Sequence, residues 1–170
     1  MEKIKYLKIF PFENIKNARS LGGYPTYDGG ITSWESFIRS ANLDNLTEND
    51  MKLLKDLNVR TVIDLRRAEE TKYNCEKIDI IKNNFSYYQI SLLPAPMNQE
   101  YIQKILDGEI SIGRSYISLI DNFDAIKKIL EIMANSEGRV LYHCQEGKDR
   151  TGIISMILLG LAGSFRTDIM

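Results

Sequence analysis

The sequence contains only two cysteines and a single histidine among its 170 residues. So few thiols argue against the disulfide framework that stabilises many small secreted domains. Basic and acidic residues are nearly balanced, at 22 and 23, so the charge predicts no general affinity for nucleic acid and no strong attraction to anionic membrane surfaces. No run approaches the length of apolar sequence that a transmembrane helix needs, which predicts no stable insertion into a membrane.

The N-terminus also lacks the apolar core of a secretory signal peptide, since it begins with the charged string MEKIKY. A cytoplasmic location is therefore the default expectation, and secretion stays open only if a signal has been removed. The length predicts a single domain over residues 1–170. A chain of this size buries about two-thirds of its unfolded surface.

A strand, a short polar loop and an apolar helix follow one another near the C-terminus. The β-branched and aromatic run Val140–Tyr142 predicts a strand that ends at His143, and the apolar run Ile153–Leu161 predicts a buried helix. A tight loop between such elements aims several backbone N–H groups at one point, beside a helix N-terminus. That arrangement predicts an anion site suited to phosphate.

Three side chains of this loop indicate its chemistry. Cys144 begins the loop, where the helix N-terminus and the guanidinium of Arg150 favour the thiolate over the thiol. A thiolate that faces a bound phosphate dianion is a nucleophile for in-line attack on phosphorus. Arg150 can hold two equatorial oxygens through its planar fork, and the hydroxyl of Thr151 can stabilise the departing thiolate. This chemistry requires neither a metal nor a cofactor.

The loop resembles the signature of the cysteine-dependent protein tyrosine phosphatase superfamily. The pattern is His143-Cys144, five residues and then Arg150-Thr151-Gly152. The fuller string HCQEGKDRTG is similar to the bacterial branch of Listeria-type and mycobacterial secreted tyrosine and lipid phosphatases. The resemblance covers most of the chain, because that branch's N-terminal landmarks occur in the same order. They are Asn17–Tyr24, Asp28–Gly30, Arg39-Ser40, Leu46-Thr47 and Val62–Arg66.

The resemblance implies roles for the other loop residues. Asp149 is implied as the general acid that protonates the leaving group and then activates water, and the alternative that it only holds the loop amides stays open. His143 is expected to orient the loop and tune the thiolate without transferring a proton. The substrate-binding cradle is expected to comprise Gln145, Glu146, Gly147, Lys148 and Thr151.

Other sources of the acid are limited. In many relatives a loop upstream of the cysteine supplies an aspartate, but the segment Ser91–Asn98 contains no acidic residue. Asp107 and Glu109 occur later and stay open as alternatives. The missing acid upstream favours Asp149.

Two further charged residues close the strand predicted at Val59–Leu65. In open α/β sheets the ligand site lies at the carboxyl ends of the strands, which predicts that Asp64 and Arg66 lie near Cys144. They can contact substrate or form a buried pair that supports the phosphate loop. The supporting role is favoured, because polar groups at strand ends usually hold scaffolding in place. The resemblance suggests that Arg19 and Arg39 also brace the loops around the site.

The predicted fold class is α/β, with a central, mostly parallel sheet flanked by helices on both faces and the phosphate loop at its carboxyl edge. The sequence also predicts an opening strand or arm over Ile4–Phe12, a capped helix starting at Thr47, a strand at Phe85–Ile90 and one long helical region over Ile112–Glu137. Relatives in the resembled branch usually continue with further helices. The sequence is therefore expected to be a fragment or an unusually short variant.

The predicted function is hydrolysis of a phosphomonoester through a phosphocysteine intermediate. Phosphotyrosine in a protein is the first expected substrate, and inorganic phosphate is the product. Lys148 adds a cation that suits a phosphoinositide, but Glu146 places a negative charge where such a headgroup would approach. Two alternatives stay open, which are rhodanese-like sulfur transfer and a module that binds phosphorylated ligands without hydrolysis.

Overall fold

The structure, a computed structural model, describes residues 6–93, 103–104, 107–108 and 111–169. Its strands are β1 (Arg19–Ser20), β2 (Phe37–Ser40), β3 (Val59–Asp64), β4 (Ser86–Gln89) and β5 (Arg139–His143). Its helices are α1 (Glu48–Asp56), α2 (Ala68–Thr71), α3 (Cys75–Asn84), α4 (Ile112–Ile120), α5 (Phe123–Ala134), α6 (Asp149–Leu161) and α7 (Arg166–Ile169).

The strands form one five-stranded sheet in the order β1-β2-β5-β3-β4. Strand β1 pairs antiparallel with β2, and the other neighbours are parallel. All five residues of the central strand β5 are buried, as expected for a parallel strand covered on both faces. The predicted α/β class with a mostly parallel sheet is confirmed.

The core divides into two clusters, one on each face of the sheet. Along β5 the side chains alternate, so that Val140 and Tyr142 join the cluster that contains helices α5 and α6, and Leu141 joins the cluster that contains α1 and α3. This alternation follows from the two-residue period of a strand. Helices therefore cover both faces, and the ends of the parallel strands are left as the open edges.

Local signals in the sequence explain several of these elements. Helix α1 begins with a capping box, in which the side chain of Thr47 accepts from the amide of Asp50 and the carboxylate of Asp50 accepts from the amide of Thr47. This reciprocal pair satisfies two amides that the first helical turn leaves free. The helix start predicted at Thr47 is therefore confirmed.

Two predicted elements differ from the structure. The helical region predicted over Ile112–Glu137 is two helices, and the break lies where the side chain of Asn122 donates to the carbonyl of Leu92 at 3.1 Å. The predicted strand Ile4–Phe12 falls partly outside the described residues, and its described part makes only an isolated bridge from Ile9 to Arg19. Pro11 lacks the amide hydrogen that a longer ladder would need.

Candidate active site

Three parallel strands end together at one edge of the sheet. Ser40 of β2 and Asp64 of β3 both lie in register with His143, the last residue of β5. The amide of Leu65 continues the ladder by donating to the carbonyl of His143 at 2.8 Å. Cys144 therefore leaves the sheet at the point where the ends of three strands converge, as expected for a ligand site in an open α/β sheet.

The loop after Cys144 is held by its carbonyl groups. The side-chain amide of Asn17 donates to the carbonyls of Glu146 and Gly147, at 3.1 and 3.0 Å. Arg39 donates to the carbonyl of Gly147 at 2.8 Å, and Asn42 donates to that of Gln145 through its backbone amide at 3.1 Å and its side chain at 3.0 Å. These carbonyls are engaged from outside the loop, whereas the amides of Gly147 and Thr151 hydrogen-bond to Cys144.

Arg19 and Arg39 both brace this loop, by different routes. Arg39 contacts the loop carbonyls directly, whereas Arg19 donates to the side-chain oxygen of Asn17 at 2.6 Å and so fixes which way the Asn17 amide points. Sequence reasoning named the two arginines but did not assign the side-chain contacts of Asn17 and Asn42. Their partners lie more than a hundred residues away along the chain.

Gly147 is required by the path of the loop. Its φ is +68°, and a Cβ there would lie 2.5 Å from the carbonyl oxygen of Ser40. Both the left-handed backbone and the close approach to β2 exclude a larger residue. The glycine therefore lets the loop close against the sheet edge.

Helix α6 begins four residues earlier than the sequence predicted, at Asp149 instead of Ile153. The prediction placed the start at the first apolar residue, but the amide of Gly152 already donates to the carbonyl of Lys148 at 2.6 Å. Arg150 and Thr151 consequently lie in the first turn of the helix. The buried side chains of Ile153 and Ile154 fix that turn against the core.

Cys144 lies at the floor of this loop and is only 3% exposed. Burial alone raises the pKa of its thiol, but hydrogen bonds from the side chain and amide of Thr151, the charge of Arg150 and the amide of Gly147 outweigh burial and bring the pKa below its usual value. The Thr151 hydroxyl is fully buried and has no oxygen or nitrogen partner among the described residues. It is therefore available to the sulfur.

The guanidinium of Arg150 is held by Glu70 in a bidentate pair. One terminal nitrogen lies 2.7 Å from Glu70 Oε2 and the other 2.9 Å from Oε1. Burial lowers the pKa of Arg150, but the Glu70 carboxylate outweighs it and raises the pKa, so the arginine stays charged. Glu70 also accepts from the amide of Arg67 at 2.9 Å, which fixes the carboxylate at the start of α2. Sequence reasoning missed Glu70, because nothing local in a charged segment marks it.

Asp64 and Arg66 form a buried pair at the end of β3. Arg66 donates to both oxygens of Asp64 at 2.8 to 3.1 Å and to Asp44 at 2.9 Å. Burial alone raises the pKa of Asp64, but the hydrogen bonds and positive charge of Arg66 hold the pKa below its usual value. Arg66 also reaches the side-chain oxygen of Gln145 at 3.3 Å. Through Arg66 the pair thus contacts the loop that follows Cys144.

His143 lies between this pair and the loop. Its Nε2 is 3.8 Å from Asp64 Oδ2, and its Nδ1 is 3.2 Å from the carbonyl oxygen of Cys144. Burial lowers its pKa below the usual value, so the ring is neutral near pH 7. The hydrogen bond from the ring to Cys144 therefore goes to its backbone carbonyl.

A model of a family described as the tyrosine phosphatase family matches residues 10–170. The chain belongs to that family. It is 35% identical over 141 residues to a tyrosine-protein phosphatase of Nostoc commune, an alignment that covers 80% of this chain and 46% of the Nostoc protein. A Cupriavidus necator protein, provisionally named a tyrosine-protein phosphatase, is 26% identical over 165 residues, covering 94% of this chain and 59% of its own length. The chain thus spans about half the length of these curated relatives.

The mouth of the loop in this phosphatase-family chain is polar and exposed. Gln145, Glu146, Lys148 and Asp149 are all solvent-accessible there. Oδ1 of Asp149 accepts a hydrogen bond from the hydroxyl of Tyr116 on helix α4, a contact that sequence reasoning did not anticipate. Asp149 is therefore a carboxylate at the rim of the loop with one oxygen already engaged.

The sequence also named Asp107 and Glu109 as alternative acids. Asp107 accepts from the side chain of Gln103 at 2.8 Å, a contact within its own local segment. Glu109 lies outside the described residues. Within the described ranges, no three metal-ligating side chains come together and no helix has the length and apolar character needed to cross a membrane.

The most voluminous groove of this phosphatase-family chain among those described, about 1220 Å³, lies elsewhere. It is lined by the amino ends of β3 and β4, the end of α3, part of α5 and the chain entering β5, including Arg60, Lys82 and Gly138. In a parallel sheet those ends lie at the edge opposite the phosphate loop. The groove and the site built around Cys144 are therefore separate features.

Proposed function

We propose that this chain hydrolyses phosphotyrosine in proteins through a phosphocysteine intermediate and releases inorganic phosphate. The observation that carries the proposal is the environment of Cys144. Its thiol has a lowered pKa and hydrogen-bonds to the amides of Gly147 and Thr151, next to the charged Arg150. An anion receptor with a nucleophile at its floor fits attack on a bound phosphoryl group.

The proposed first step is in-line attack by the Cys144 thiolate on phosphorus. The sulfur–phosphorus bond forms while the bond to the tyrosine oxygen breaks, and that oxygen takes a proton from the carboxylic acid of Asp149. Arg150 holds two equatorial oxygens of the transferring group, and the loop amides from Gln145 to Arg150 hold the developing charge. Asn17, Arg39 and Asn42 already hold the loop carbonyls before substrate arrives, so the loop needs little reorganisation.

The proposed second step is hydrolysis of the phosphocysteine. Asp149, now a carboxylate, takes a proton from water as the water attacks phosphorus and the sulfur–phosphorus bond breaks. The Thr151 hydroxyl stabilises the departing thiolate. Its hydrogen bond also contributes most to lowering the pKa of Cys144. Each turnover thus returns the sulfur to its anionic state and the proton to Asp149.

In this proposal the buried groups beneath the loop support it and do not react. Asp64 and Arg66 form a closed pair, since the described contacts of Arg66 go to Asp64, Asp44 and Gln145. His143, neutral and buried, holds the backbone at Cys144. The side chains of the pair are 1% and 2% exposed and their polar atoms are engaged by protein groups, which supports a role beneath the loop and not in contact with the substrate.

The loop string HCQEGKDRTG also supports placing the chain in the Listeria-type and mycobacterial branch, whose members include lipid phosphatases. Exposed Lys148 would attract a second phosphate, whereas exposed Glu146 would repel a polyanionic headgroup. These opposed charges favour a singly phosphorylated side chain. Phosphotyrosine in a protein is therefore the proposed substrate, ahead of a phosphoinositide.

A substrate panel tests the proposal. The purified chain should hydrolyse a phosphotyrosine peptide with a kcat/KM at least about tenfold higher than that for the matching phosphoserine peptide or for a phosphoinositide in mixed micelles. Phosphate release is the measurement, and thiosulfate sulfur transfer is assayed in parallel. Retention of the phosphotyrosine peptide without phosphate release, or sulfur transfer alone, would contradict the proposal.

A further inference from the structure

Tyr116 contacts the Asp149 carboxylate at the rim of the loop that follows Cys144. Its hydroxyl donates to Oδ1 of Asp149, and among the described residues no second hydrogen bond engages the other oxygen, Oδ2. The two residues belong to different elements, since Tyr116 lies in α4 and Asp149 begins α6, and these helices contact one another. The tyrosine therefore reaches the loop from outside the signature string.

The position of Tyr116 is set by the packing of α4. Leu119 is buried and Ile120 packs against the same core, and these residues lie three and four positions after Tyr116. Residues at that spacing share a face of a helix. The apolar contacts that hold α4 against the core consequently also direct Tyr116 toward the start of α6.

We propose that Tyr116 is a positioning residue for Asp149, which it holds by one oxygen so that the other can exchange a proton with the leaving group and with water. This inference rests on the proposed function of Asp149. Oδ2 carries the proton that passes to the leaving oxygen in the first step and accepts one from water in the second. Oδ1 stays bonded to Tyr116 throughout.

Tyr116 itself keeps its proton in this scheme. The hydrogen bond to Asp149 raises the pKa of the Tyr116 hydroxyl above its usual value, so the phenol is a poorer proton source than an ordinary tyrosine. A hydroxyl that donates without ionising fixes geometry at both stages of the reaction. It does not replace the acid.

The dependence of turnover on the leaving group tests this inference. A phosphotyrosine peptide expels a phenol with a pKa of about 10 and needs a proton from the acid, whereas a nitro-substituted aryl phosphate expels a much more acidic phenol and needs little help. Tyr116→Phe should lower kcat/KM for the peptide about tenfold, a share of the roughly 10²- to 10⁴-fold that a general acid contributes. Because kcat/KM reports the steps up to departure of the phenol and excludes hydrolysis of the phosphocysteine, kcat/KM for the nitro-substituted substrate should stay within about twofold.

Two further variants make the outcome specific. Asp149→Asn should show the same dependence on the leaving group, more strongly, and Tyr88→Phe should show none. Tyr88 is a matched control, because it is 41% exposed against 38% for Tyr116 and lies in β4, where it lines the distant groove. Equal losses of Tyr116→Phe on both substrates, or no loss on either, would overturn the inference.

The design separates failure of this inference from failure of the proposed function. If Asp149→Asn depends on the leaving group and Tyr116→Phe does not, only the role of Tyr116 is wrong. If Asp149→Asn itself shows no such dependence, Asp149 is not the acid and both assignments fall.

An NMR titration of ring-labelled tyrosine tests the contact without turnover. The Tyr116 signal is assigned by its loss in Tyr116→Phe. It should titrate at higher pH in the wild type than in Asp149→Asn. A signal that titrates alike in the two proteins would also overturn the inference.

Discussion

Cys144→Ser is expected to lower turnover of a phosphotyrosine peptide by more than about 10⁴-fold, the scale on which loss of an enzyme nucleophile is felt. A serine hydroxyl is not ionised near neutral pH, and the ring of His143, which contacts the backbone carbonyl of Cys144, is not placed to activate it. The amides that face the sulfur belong to the backbone and remain in the variant. Phosphate release in a continuous assay measures the loss.

The serine variant should remain folded and should still bind the phosphotyrosine peptide, because Cys144 and serine are nearly the same size and the outer supports of the loop are unchanged. Cys75→Ser replaces the chain's other cysteine, outside the loop, and should keep wild-type turnover. A Cys144→Ser protein that still hydrolyses the peptide at a substantial rate would remove Cys144 from the reaction.

Arg150→Lys is expected to lower kcat by about 10²- to 10³-fold, the usual loss on removing a transition-state donor. Lysine keeps the positive charge but cannot place two parallel N–H donors on one carboxylate or on two phosphoryl oxygens. The bidentate pair with Glu70, at 2.7 and 2.9 Å, would be replaced by a single contact. The orientation of the cation toward the loop would then no longer be fixed.

Steady-state kinetics on the phosphotyrosine peptide measures this effect. Arg60→Lys is the matched control, since Arg60 lies at the opposite edge of the sheet and donates to Asn58 at 3.0 Å. The control should behave as the wild type does. Similar kcat values for Arg150→Lys and the wild type would show that a point charge suffices and that the forked geometry has no catalytic role.

The sequence predicted the features of the site that depend on local signals. The apolar run Val140–Tyr142 specifies a buried strand, and the capping box at Thr47 specifies a helix start, because each depends on residues close together in the chain. The parallel arrangement of the sheet follows from strands that alternate with helices. From that arrangement the proximity of Asp64 and Cys144 could be deduced without knowing any distance.

The sequence did not reveal the contacts made across long separations. Glu70 and Arg150 are 80 residues apart, and Tyr116 and Asp149 are 33 apart. Each contact depends on how a helix docks against the sheet, which no local pattern of charge or hydropathy encodes. Glu70 lies in a charged segment where its carboxylate resembles its neighbours, so only the fold singles it out.

The start of α6 shows a different limit. Apolar periodicity placed it at Ile153, but the first turn of the helix is built from Asp149, Arg150 and Thr151, whose polar side chains carry no periodic signal. Polar residues at a helix N-terminus serve the groups that the first turn leaves unpaired. These three candidate site residues therefore belong to the first turn of the helix.

The most direct test of the account is to trap the covalent intermediate. Asp149→Asn should slow hydrolysis of the phosphocysteine, so rapid acid quenching during turnover of a nitro-substituted aryl phosphate, whose leaving group needs little help from an acid, should leave a phosphoryl group on the protein. Peptide mapping by mass spectrometry should locate that group on Cys144, and the double variant with Cys144→Ser should carry none. A phosphoryl group on another residue, or steady turnover with Cys144 never modified, would contradict the central claim that this sulfur is the nucleophile.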